Sequence, residues 1–268
     1  MELTKSHERV FSGELQARYI FAEVRNAAAA LSGTNPVEFD HLGSVLTGFW
    51  LTLDSLTDPG GGKSDVAADL DLAFRHLGWR EAGHTSKTLF RLNFSPWPPR
   101  TPALPPIEFE FETSGHKVDN FRGRVALDVE WNAKDGNLDR DLANFRALHD
   151  VGLIDVGVLI TRHHERTKWV ANYLADVGGR VRYDALGRRI VLLGTTTTTN
   201  LEKLLPRLER GDAGGCPVLA IAMTELCYRA GEGDPVPPAL PRAPGPGVYP
   251  DEDEELIVAQ RPEGEADE

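Results

Sequence analysis

Three acidic residues and an amide stand where they could do chemistry: Asp119, then Asp128, Glu130 and Asn132, within DNFRGRVALDVEWNAK (119–134). From Arg124 to Trp131 the residues alternate in polarity. In a strand, Val125, Leu127, Val129 and Trp131 would face one way, and Ala126, Asp128, Glu130 and Asn132 the other. A turn is expected over Asn120 to Gly123, and a hairpin return there brings the Asp119 carboxylate beside Asp128. Lys134 is a further candidate for that face. Gathered carboxylates repel one another and shed water at a cost, which a cation offsets. Mg²⁺ suits such a group, since it takes one or two carboxylates and leaves its other positions to water and phosphate oxygens. The plainer reading is a solvated sheet edge. The oily sequence around the acids, FEF before, VALDV within and VGVLI after, argues against it.

An acidic residue, a gap of nine, then acidic-x-acidic in an apolar strand followed by a helix resembles the active-site run of the PD-(D/E)XK nucleases. With Glu130 where most members carry lysine, the run is similar to that of the BglII/BamHI branch of type II restriction endonucleases. LDRDLANFRALHDVGLIDVGVLITR (138–162) and KLLPRLERGDAGGCPVL (203–219) resemble further segments of that branch. The likeness covers roughly the second half of the chain, and the first hundred residues match only loosely. It implies an α/β fold with a restriction-endonuclease-like core, a mixed sheet flanked by helices. It also implies Mg²⁺-dependent hydrolysis of double-stranded DNA by a homodimer at a short palindrome. Asp119 and Asp128 would then hold the metal with the carbonyl of Val129, Glu130 would bind a second ion or orient the water, and Asn132 would assist. Whether Glu130 or Lys134 fills the place of the usual lysine stays open. So do two other functions: a catalytically inactive DNA-binding protein of the same fold, and a nuclease for branched or damaged DNA.

The elements that position these residues read as helices first and a sheet later. Glu14 to Leu31, alanine-rich with apolar residues at helical spacing, is expected to be one helix. Val37 to Leu56 follows as a second, and a third starts at the N-cap Ser64. IEFEFE, RVALDVEW, DVGVLIT and PVLAIAM read as strands, RRIVLL as a weaker one, with helices over 138–150 and 166–177. PWPPRTPALPP (96–106) reads as a linker, which divides the chain into an N-terminal helical part (1–100) packed on a nuclease core (101–230). From Gly231 the composition turns to Pro, Gly and acid, so 231–268 is expected to be a disordered tail.

That tail also resolves the net charge of −12, which is unpromising for a DNA-binding protein. Its eleven acidic and two basic residues account for −9, leaving −3 on the body. Basic clusters remain at Arg162, Arg166 and Lys168, at Arg180, Arg182, Arg188 and Arg189, and at Lys203, Arg207 and Arg210. The DNA contacts expected are Lys63, Lys134, Thr198, Asn200, Lys203 and Arg207. Thr198 and Asn200 belong to a threonine run (195–199) whose hydroxyls and following amide suit base edges or phosphates. DPGGGKS (58–64) ends like a phosphate-binding loop, but Thr57 stands where that motif needs its first glycine and a helix is expected before it, so no nucleotide is expected. Its backbone and Lys63 could instead meet a DNA phosphate at a helix N-terminus. The His163–His164 pair lacks a third spaced ligand and reads as solvent-exposed. A hydrophobic content of 41% suffices for a core, no apolar run approaches the ~20 residues of a membrane span, and the charged start MELTKSHERVF is unlike an export signal. With two cysteines, the expected setting is a reducing cytoplasm.

Overall fold

The computed structural model describes residues 1–58, 65–195 and 197–240. Lys63, Ser64, Thr196 and the stretch from 241 onward lie outside them, so the Lys63 contact, the Ser64 cap and most of the expected disordered tail are not described. The amino-terminal part runs α1 (His7–Val10), α2 (Gly13–Arg18), β1 (Tyr19–Val24), α3 (Ala27–Thr34), α4 (Pro36–Gly48), α5 (Leu53–Thr57) and α6 (Asp65–His76). Next come β2 (Arg80–Ala82), β3 (Thr85–Leu92), β4 (Ile107–Ser114), β5 (Val118–Arg122) and β6 (Val125–Val129). The chain continues with α7 (Gly136–Asp150), β7 (Val156–Arg162), α8 (His164–Val177), α9 (Leu201–Arg210) and β8 (Val218–Met223).

Six strands form one mixed sheet in the order β1-β8-β7-β6-β5-β2, in which β6, β7 and β8 run parallel and the remaining pairs antiparallel. Alternation along β6 and β7 divides the core in two. Val125, Leu127, Val129, Val156, Val158 and Ile160 pack with α2 to α6 and α8, while Ala126 and Leu159 pack with α7 and α9. This is the expected α/β sandwich, with a mixed sheet and helices on both faces. Gly157 allows α7 to sit close on the sheet, because a Cβ there would lie 2.4 Å from the Phe145 ring.

Several expected elements differ. The segment read as one helix from Glu14 to Leu31 contains β1, because YIFAEV buries nearly every side chain against β8 and the flanking alanines mask that run. Val37 to Leu56 breaks into α4 and α5, since Leu51 leaves the helix to pair its backbone with Tyr228. RRIVLL forms no strand. PWPPRTPALPP lies in the connection at the tip of a two-stranded ribbon, β3 with β4, that continues outward from β2 and β5. The first hundred residues thus supply two strands of the central sheet as well as helices.

The first residues after Gly231 hydrogen-bond back to the chain before them. Tyr228 Oη donates to the Pro235 carbonyl at 3.0 Å, and the Gly231 amide donates to Asp234 Oδ2. Removing residues 241–268 is expected to leave the thermal midpoint unchanged. Cutting at Gly231 loses the Tyr228 hydrogen bond, worth about 1 kcal/mol, and should lower the midpoint by roughly 2–4 °C. Differential scanning calorimetry of the two truncations checks both values.

Candidate active site

The turn between β5 and β6 is closed by Gly123 at a φ of 55°, a left-handed backbone that favours glycine. From this turn Arg122 pairs with Val125, Phe121 with Ala126 and Asn120 with Leu127, and the same register sets Asp119 opposite Asp128. The Asp119 amide donates to Asp128 Oδ1 at 2.7 Å. Asp128 is 3% exposed and Glu130 4% exposed, although both are acids, and the face they share is the one that α7 covers.

A fourth acid arrives from α7. Its buried stripe runs Leu138, Asp141, Leu142, Phe145, Leu148, so Asp141 stands in the row that contacts the sheet. It is 1% exposed. Arg140 beside it is the cation of the group, with its guanidinium 3.0 Å from Asp141 Oδ1 and 3.5 Å from Glu130 Oε1. Asn137, one turn earlier, donates to Glu130 at 3.3 Å. The Glu130 backbone is pinned as well: its amide donates to the Ile160 carbonyl, and its carbonyl accepts from the hydroxyls of Thr161 and Thr199.

Burial, and then the Asp141 charge, push the Glu130 carboxyl up to about 9. The same two causes raise Asp128 well above the ordinary carboxylate range, and burial raises Asp141. A hydrogen bond between Glu130 and Asp141 raises the first and lowers the second, which describes a protonated Glu130 donating to an ionised Asp141. Among the described residues, Asp128 Oδ2 and Asp141 Oδ2 are buried without a hydrogen-bond partner. Two such oxygens are hard donors without a hydrogen-bond partner, and once deprotonated they suit Mg²⁺. Among the described residues no group of three or more His, Cys, Asp or Glu side chains is arranged to hold a metal ion.

The remaining expected site residues fall elsewhere. Asn132 has a φ of 55°, which ends the alternation, and its Oδ1 accepts from Arg162 at 3.4 Å. Lys134 is exposed and joins its backbone to Thr198. The Val129 side chain belongs to the opposite core. Thr198 accepts from the buried Arg162, and Thr199 bonds both ways with Ala133, so the threonine run straps the end of β6. Asn200 caps α9, accepting from the Lys203 amide at 2.9 Å. Lys203 pairs with Asp135 at 2.9 Å and Arg207 with Asp139 at 2.7 Å, both bridges running to the start of α7. His163, only 18% exposed at its side chain, rests on Glu202 at the start of α8. Reading the strand alone misses Arg140 and Asp141. The signal that points to them is a charged residue inside the apolar stripe of a helix that follows an acidic strand.

α5 ends at Thr57, so a helix precedes the glycine-rich loop, unlike the strand that a nucleotide-binding loop follows. Among the described residues no helix is long and apolar enough to cross a membrane. No curated protein matches the chain in sequence. A family model described as restriction endonuclease BglII/BglIII matches residues 19–223, from the first residue of β1 to the last of β8, and the chain therefore belongs to that family of DNA-cleaving restriction endonucleases.

Proposed function

We propose that this protein is a type II restriction endonuclease that hydrolyses both strands of double-stranded DNA at a short palindrome, as a homodimer dependent on Mg²⁺. The observation that carries the reading is the cross-strand pair Asp119 and Asp128, with Asp128 Oδ2 buried and unbonded, in a chain of a family that is generally metal-dependent. Asp119, Asp128 and the Val129 carbonyl would hold the ion, and Asp141 lies close enough to bias it electrostatically. When bound, Mg²⁺ neutralises charge on the scissile phosphate and acidifies a coordinated water. Glu130 would orient the attacking water and, with its own proton displaced by the bound ion, would act as the carboxylate that accepts the water's proton. Arg140, beside Glu130 and Asp141, supplies the local positive charge that lysine supplies in most related nucleases. Lys203 and Arg207 are candidates for phosphate contacts, because exposed ion pairs contribute only ~0–1 kcal/mol and can be exchanged for DNA.

Purified protein is incubated with plasmid in Mg²⁺ and, in parallel, in EDTA. Discrete fragments with Mg²⁺ and intact plasmid with EDTA are expected. A smear would indicate a nuclease without sequence preference, and binding without cutting in either buffer would indicate an inactive DNA-binding relative. The same assay separates the candidate cations. Lys134→Ala should cut like the wild type, whereas Arg140→Ala should slow cleavage by roughly a hundredfold, the low end for one lost charge contact because the guanidinium is partly exposed. Glu130→Lys should be inactive, because it sets a buried cation against the Arg140 guanidinium. A normal rate for Arg140→Ala together with a crippled Lys134→Ala would reverse the assignment.

A further inference from the structure

The ribbon β3–β4 leaves the sheet at the strand that carries Asp119: β4 ends at Ser114 and β5 begins at Val118. Its register sets Leu92 opposite Ile107, Phe90 opposite Phe109 and Thr88 opposite Phe111. Opposed residues share a face and successive ones alternate, so these six side chains form one face of the ribbon. Five of them are large and apolar, and they are exposed: Leu92 56%, Phe90 58%, Ile107 58%, Phe109 62% and Phe111 40%. The Phe111 ring lies against Phe90 and Phe109 at centroid distances of 6.0 and 5.8 Å. The opposite face is polar and closed on itself by Lys87–Glu110 at 2.7 Å and Arg91–Glu108 at 3.2 Å.

A lone two-stranded ribbon is marginal in water, and a contiguous apolar strip of this kind marks a contact surface. DNA is a poor occupant. Apart from the Thr88 hydroxyl the face offers phosphates no side-chain donor, and the two cations behind it are already matched by glutamates. We propose that this face is where a second copy of the chain docks, ribbon against ribbon about a two-fold axis. An isologous contact requires a surface complementary to itself, and an uncharged pleated face meets that condition, since two such faces stack at ~10 Å. The area is sufficient: with ~200 Å² for an aromatic side chain, the exposed fractions amount to on the order of 500 Å² per copy, and twice that reaches the ~1,000 Å² of specific interfaces. The proposal rests on the homodimer reading above and adds where the dimer closes.

The test uses the full chain without DNA, in sedimentation velocity over a concentration series. The wild type is expected to dimerise. Phe90→Ser with Phe109→Ser should raise the dimer dissociation constant roughly 100-fold, as loss of two central aromatic anchors does. Leu89→Ser, 59% exposed but on the polar face, should leave it unchanged. Because the double variant could unravel the ribbon, a second measurement keeps the ribbon sequence nearly intact. Both native cysteines are fully buried, so Thr88→Cys treated with a short bis-maleimide should give a covalent dimer, and Lys87→Cys on the other face should not. A wild type that stays monomeric throughout, or a dimer that survives the double variant, overturns the proposal. Dimerisation that begins only when residues 241–268 are removed also overturns it, and assigns the face to the chain's own C-terminal stretch. Failure of the two readings is distinguishable. A monomeric double variant that still nicks plasmid with Mg²⁺ retains the chemistry, whereas a wild-type dimer inert toward DNA sinks the nuclease reading alone.

Discussion

Asp128→Asn is expected to abolish Mg²⁺-dependent cleavage, a fall of ~10³-fold or more that corresponds to about 4 kcal/mol of barrier, while DNA binding stays equal or tightens. The amide has the shape of the carboxylate, so its oxygen can still accept from the Asp119 amide as Asp128 Oδ1 does. Its nitrogen, however, would stand in place of Oδ2, the buried oxygen without a partner, and an –NH₂ group cannot ligate a hard cation. Two consequences separate loss of metal from loss of fold. At alkaline pH the metal-free variant should melt higher than the wild type, whose Asp128 would there lose its proton beside Asp141 and Asp119. DNA binding without metal should stay equal at neutral pH and tighten at alkaline pH, where the wild-type Asp128 would carry a negative charge near the phosphates. Fluorescence anisotropy with a labelled duplex, thermal melts in EDTA and the plasmid assay read the three effects. Cleavage at the wild-type rate would remove Asp128 from the site.

Asp128 is legible from the sequence because β6 announces itself. Alternation over VALDV fixes which residues share a face, and nine residues back to Asp119 is the spacing a tight hairpin needs for a cross-strand pair. Legibility weakens where chain geometry departs from a periodic element. Extending the alternation one step further puts Asn132 on the acidic face, but a left-handed backbone at that residue turns its amide toward Arg162. Asp141 and Arg140 belong to a different element. Their meeting with β6 depends on how closely α7 approaches, and Gly157 permits that approach from a third element. β1 is concealed by the alanines around it, because propensity favours helix there while burial against β8 favours strand. The ribbon shows the opposite failure. IEFEFE alternates as a half-buried strand does, and local pattern alone does not reveal that its apolar side meets solvent.

The acids are also expected to tie stability to pH and to metal. Glu130 titrates near 4.5 in an unfolded chain and is pushed up to about 9 in the fold, with burial the leading cause and Asp141 the next. An acid that holds its proton more tightly when folded stabilises the fold fully below its unfolded value, and that stabilisation is lost as pH rises through the folded value. Metal-free protein should therefore lose stability between pH 7 and 9. Each step of one in pH costs up to about 1.4 kcal/mol while the folded state alone keeps the proton, so the loss over that window is on the order of a few kcal/mol. Asp128 and Asp141, raised from the same cause, act in the same direction. His164, lowered by its own burial, acts in the opposite sense, but its contribution is complete once pH exceeds its ordinary value of 6.5. Mg²⁺ competes with the proton for these carboxylates, so it should raise the melting temperature more at pH 9 than at pH 7. Glu130→Gln supplies the control, since an amide there keeps the size of the side chain and does not titrate. Its melting temperature in EDTA should decline less steeply from pH 7 to 9 than that of the wild type, the remaining slope coming from Asp128 and Asp141, and its Mg²⁺-induced rise should lose part of its pH dependence. If the variant declines with pH as steeply as the wild type, the proton held between Glu130 and Asp141 is not what links this site to pH.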